Sequence, residues 1–123
     1  MTKSAGCRVL LVEDEAMLRM LLEDMVEDLG YELAGSAGSI EEARTLIETM
    51  PGIEVAIVDV NLGGEASFPV AEALRARQVP FLFSTGYGAD GIPGDFRDVP
   101  LLGKPYRRDD IHSALQELLA SRA

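Results

Sequence analysis

The sequence predicts an α/β fold, a doubly wound parallel sheet whose five strands allow the flavodoxin-like order 2-1-3-4-5. Two observations predict it. Apolar, strand-like runs alternate five times with helical or loop segments along 123 residues, the pattern of a parallel sheet with helices on both faces. The runs expected at the centre of that sheet each stop on polar residues: Glu13 and Asp14, then Asp59, then Ser84 and Thr85, then Lys104.

The elements follow in order. "CRVLLVED" (7–14) is an apolar, β-branched run ending on two carboxylates. Leu18, Leu21, Leu22, Met25 and Leu29 then recur at helical spacing, and Gly30 is placed to end that helix at C′. "YELAGSAG" (31–38) is a weaker strand. Ser39 with Glu42 forms a capping box for a second helix, which closes before Pro51-Gly52. "IEVAIVD" (53–59) reads as a strand buried on both faces. A Gly63-Gly64 loop follows, its glycines read as a turn requirement. A third helix near 67–78 has Pro69 in its first turn, where a missing N–H costs little.

"PFLFST" (80–85) is the fourth strand. The glycine- and proline-rich stretch 86–100 predicts a fourth helix that is short, frayed or absent. "PLLGKPY" (100–106) gives a brief fifth strand, and a last helix runs from Asp109, the expected N-cap, through Ile111, Leu115 and Leu118. Crossovers between parallel strands are right-handed, and the flavodoxin-like order places a binding crevice outside the carboxyl ends of the central strands. One domain is expected over 1–123, with its core at about 7–120 and no output domain encoded here.

The formal charge is −10, from 11 basic and 21 acidic residues, which argues against nucleic-acid or anionic-membrane binding. It fits metal cations or basic partner surfaces. No apolar run approaches the roughly 20 residues of a membrane span, and a cytoplasmic protein is expected. Cys7 is the only cysteine, so an internal disulfide and a cysteine-based metal cluster are excluded; it is read as a small core residue.

The polar strand ends carry the chemistry. Taken singly, Glu13-Asp14 could open a helix, Asp59 could cap a loop, Thr85 could serve a turn and Lys104 could be a solvated lysine. A doubly wound sheet sets these ends side by side. Clustered carboxylates repel and stay ionised together only around a cation. Oxygen ligands with open water positions suit Mg²⁺. A metal, an ammonium and a hydroxyl together make a phosphoryl-binding site, with Asp59 as a carboxylate nucleophile.

"LLVEDE", "VDVNLGG", "FSTGYG" and "LGKPY" resemble the motifs of the response-regulator receiver domain of two-component signalling, in order and spacing and over almost the whole chain. The resemblance implies a CheY-like fold and phosphoryl transfer from a sensor histidine kinase or a histidine phosphotransfer protein. It implies Asp59 as phosphoacceptor, Asp14 as direct Mg²⁺ ligand, Glu13 acting mostly through water, and the Asn61 backbone carbonyl as a third protein ligand. Thr85 would follow the phosphoryl group and Lys104 would pair with it. "FSTGYG" and the glycine-rich segment look like the FAT GUY receivers, named for that motif. Receivers usually place Tyr or Phe three residues before the lysine; here that position is Leu101, so output is expected through 86–98. Tyr87 and Tyr106 are read as surface or interface aromatics, and His112 is not expected to donate phosphate.

The resemblance implies a receiver that switches a downstream protein partner, as a monomer or weak homodimer. It would assist its own phosphorylation and dephosphorylation without being a turnover enzyme. Two alternatives compete. A pseudo-receiver would bind partners without phosphorylation, against the intact acidic pair, Asp, Thr and Lys. A phosphatase of the haloacid-dehalogenase type would want a second acid two residues after the nucleophile, where Asn61 stands, and a cap insertion that is missing.

Overall fold

The computed structural model describes residues 6–86, 91–104 and 106–121. The elements are β1 (Arg8–Val12), α1 (Ala16–Asp28), β2 (Glu32–Ala37), α2 (Ile40–Thr49), β3 (Val55–Asp59), β4 (Asn61–Leu62), β5 (Glu65–Ala66), α3 (Phe68–Ala76), β6 (Phe81–Thr85), β7 (Leu101–Gly103) and α4 (Arg108–Ser121). The main sheet runs β2-β1-β3-β6-β7, all parallel, which is the expected 2-1-3-4-5 order.

The alternation of side chains along β1 splits the core in two. Val9 and Leu11 face a cluster with Leu22 and Val26 of α1 and Ile111, Leu115 and Leu119 of α4. Leu10 and Val12 face the opposite cluster, with Ala43 and Ile47 of α2 and Val70 and Leu74 of α3. Both faces of β3 are thus covered, which is why every residue from Val55 to Asp59 is buried. Cys7 packs in the first cluster.

The helix ends follow local chemistry. Gly30 takes φ 93° after α1, and Tyr31 N–H reaches back to Val26 O at 3.0 Å, a Schellman closure. At α2, Ser39 Oγ accepts the Glu42 N–H at 3.1 Å, while the Glu42 carboxylate accepts the Gly38 N–H at 2.9 Å, one residue earlier than in a strict capping box. α4 begins at Arg108, so Asp109 lies inside its first turn instead of capping it; there it still favours the helix dipole.

Between β6 and β7 the described residues form a three-residue 3₁₀ turn, Gly94–Phe96, in place of a full helix. Side chains hold it down. Phe96 stacks on Phe68 with centroids 5.5 Å apart and meets Phe81 and Phe83 edge-on. Arg75 of α3 lies 4.5 Å over the Phe96 ring and donates to Asp95 O at 2.6 Å. Tyr87 lies outside the described residues.

Candidate functional site

Strand register brings the polar ends together. Val12 pairs with Val58, Asp59 with Ser84, and Thr85 with Gly103, so Glu13, Asp59, Thr85 and Lys104 emerge at one edge of the sheet. Lys104 N–H donates to Thr85 O at 3.1 Å, fixing those two neighbours. An open cleft of about 540 Å³ lies over this edge, lined by Asp14, Asp59, Asn61, Phe68, Thr85 and Lys104 among others.

The charges inside it are close. Oxygens of Glu13, Asp14 and Asp59 all lie within 4.8 Å of one another. Lys104 Nζ sits 2.9 Å from Asp59 Oδ2 and 3.2 Å from Glu13 Oε1. Burial pushes the Asp59 pKa up, the Lys104 hydrogen bond draws it down, and the Glu13 charge raises it again, to about 6. Burial works to lower Lys104, yet its bond to Asp59 and the two carboxylate charges outweigh that, and the net shift is upward. Three carboxylates facing one ammonium leave two negative charges unbalanced. An all-oxygen donor set with that excess fits a hard divalent ion.

Backbone donors fix the acids. Glu13, wholly buried, accepts the Glu15 N–H on Oε2 at 3.1 Å. Arg19 of α1 donates to the Glu13 carbonyl at 2.7 Å, pinning the turn between β1 and α1. Asn61 N–H donates to Asp59 Oδ1 at 3.3 Å. Gly63 N–H donates to Asp14 Oδ2 at 2.9 Å across 49 residues of sequence. Gly63 and Gly64 take φ 58° and 89° and turn β4 into β5, the pair of left-handed conformations that a two-residue hairpin requires.

The aromatic readings need one correction. Tyr106 is 6% exposed, not a surface ring; its hydroxyl lies 2.9 Å from Glu13 Oε1 and 3.0 Å from Ser84 Oγ. No strand period reports it, because β7 ends at Gly103, before Lys104 and Tyr106. Leu101 is exposed on the edge strand, with no ring beside the site at that position. His112 Nδ1 lies 3.5 Å from the Tyr31 hydroxyl, on α4 and among none of the residues lining the cleft.

The family model of the response regulator receiver domain matches residues 9–116. The chain belongs to the response regulator receiver domain family. Among solved structures, this receiver is similar to SdrG from Sphingomonas melonis Fr1, at 44% identity and TM-score 0.81 over 96% of this chain and 99% of that one. It is similar also to the BeF3-activated conformation of SdrG from Pseudomonas melonis Fr1, at 46% identity and TM-score 0.80 over 94% of this chain and 98% of that one. The transcriptional regulatory protein PdtaR of Mycobacterium tuberculosis is 32% identical over 94% of this chain, which spans only 57% of PdtaR. Receiver membership makes the chain a two-component signalling module and not a turnover enzyme. No helix among the described residues is long and apolar enough to cross a membrane.

Proposed function

We propose that Asp59 is the phosphoacceptor of this receiver, with Mg²⁺ held by Asp14, Asp59 and the Asn61 backbone carbonyl, and by Glu13 through water. The observation that carries the reading is the convergence of Asp59 with Lys104 at 2.9 Å and with two further carboxylates at one strand edge. The activated form of a relative 46% identical supports it, since BeF3 is a phosphoryl stand-in.

The chain's own residues would divide the work. An ionised Asp59 oxygen forms the new O–P bond as the P–N bond of a phosphohistidine breaks, and the imidazole keeps that electron pair. Lys104 then exchanges its Asp59 contact for a phosphoryl oxygen, and Thr85 donates a hydrogen bond to another. A bound Mg²⁺ would offset the charge gathered on the phosphoryl group. The donor is a sensor histidine kinase or a histidine phosphotransfer protein, and the output a downstream protein partner, all in the cytoplasm.

"FSTGYG" and the three-residue turn Gly94–Phe96 support placement among the FAT GUY receivers, with output through 86–98, of which 87–90 lie outside the described residues. One domain with its core at about 7–120 is part of the same reading, supported by packed residues from Cys7 to Leu119. Labelling by acetyl phosphate tests the acceptor. It is expected to require Mg²⁺ and to vanish in Asp59→Asn. Label retained in that variant would overturn the assignment; no label in the wild type would favour a partner-binding module without phosphoryl transfer.

A further inference from the structure

Tyr106 sits where the phosphoacceptor chemistry does not yet use it. Its ring is buried in the cluster that contains Leu102, Ile111 and Leu115. Its hydroxyl is within hydrogen-bond distance of both Glu13 and Ser84. A phenol has one proton to give, an ionised carboxylate only accepts, and a serine hydroxyl does both. The proton therefore goes to Glu13 Oε1, and Ser84 can donate to the tyrosine oxygen behind it.

Glu13 Oε1 has two suitors. Tyr106 is at 2.9 Å and Lys104 at 3.2 Å, while Lys104 is also 2.9 Å from Asp59. We propose that Tyr106 is a positioning residue for the divalent-ion site: its hydroxyl holds the Glu13 carboxylate in place, so that Lys104 remains on Asp59. A neutral donor satisfies one lone pair of Glu13 and leaves its negative charge for the cation. Without it, a wholly buried carboxylate has one donor fewer and draws Lys104 toward itself, away from Asp59. A carboxylate that loses its orienting donor turns from the position in which it would meet the ion's water. This inference rests on the metal-dependent reading above.

Tyr106→Phe keeps the ring and removes the donor. NMR titration with MgCl₂ is expected to show an affinity weakened about tenfold, the size typical of losing a group that orients a metal ligand. Acetyl phosphate labelling should show the same change in the Mg²⁺ half-saturation while the rate at saturating Mg²⁺ is largely regained. A merely structural role would lower the maximal rate instead. In the wild type, the Cζ resonance of Tyr106 is expected to shift along the same Mg²⁺ isotherm as the site amides. A Tyr106→Phe affinity within about twofold of wild type would overturn the positioning role and leave the acceptor reading standing. A Cζ resonance that stays fixed at saturating Mg²⁺ would do so even if the variant failed to fold. A wild type that binds no Mg²⁺ would overturn both.

Discussion

Asp59 is caught between a dry site and a cation. Its folded pKa of about 6 stands above its ordinary 3.8 because burial and the Glu13 charge outweigh Lys104. The native state then holds this proton more tightly than the unfolded chain does. The stability it contributes is full below 3.8 and is lost as pH rises through about 6. Asp59→Asn removes that ionisation. In EDTA the variant is expected to melt above the wild type at about pH 7.5, with the gap closing toward about pH 4. Thermal melts across that range check it, and a variant that melts lower at neutral pH would mean that the Lys104 pair outweighs burial. Adding Mg²⁺ should raise the wild-type melting temperature more than the variant's, because an ion bound only by the native state stabilises it by mass action.

At the scale of elements, two turns make opposite predictions. Gly63 and Gly64 both have positive φ with no atom near an added Cβ, so alanine there meets a backbone penalty alone. Each Gly→Ala change is expected to cost about 1 kcal/mol in urea unfolding. Gln78 ends α3 with φ 59°, and Val79 N–H closes back on Leu74 O at 2.9 Å, the same Schellman geometry that Gly30 gives α1. Gln78→Gly is expected to stabilise by about 0.5 kcal/mol, strain relieved less the entropy of a freer unfolded chain. These turns also mark what the sequence carries openly. Gly30 announces its cap, whereas Gln78 does not, because the residue that favours a left-handed turn is absent. The β4–β5 hairpin is hidden because strands of two residues have no period to detect, although the Gly-Gly pair reports its turn. β1, β3 and β6 are legible because most of their five residues are buried and apolar, and Tyr106 escapes because an amphipathic ring fits surface and core equally well.

For the whole molecule, the alternation of strands and helices implies a parallel doubly wound sheet, and the observed order β2-β1-β3-β6-β7 assembles the site. Glu13, Asp59, Thr85 and Lys104 are readable together because parallel strands end on the same edge; contacts made by loops, such as Gly63 on Asp14, carry no such rule. The same architecture leaves α1 with a distinctive surface. Glu15 and Leu18 line the cleft, and Met17 and Met20 beside them are 84% and 62% exposed, with Leu21 completing an i, i+3, i+4 face. Methionines on an open face beside the cleft suit a partner that packs by shape. The test separates docking from chemistry. Met17→Glu with Met20→Glu is expected to slow transfer from the cognate phosphohistidine protein at least about tenfold, since new charges in an apolar contact must be desolvated. Labelling by acetyl phosphate, which needs only the cleft, should stay within about twofold of wild type because small donors make no contact with that face. Equal loss with both donors would place the defect in the cleft, and no loss with either would move the docking face away from α1.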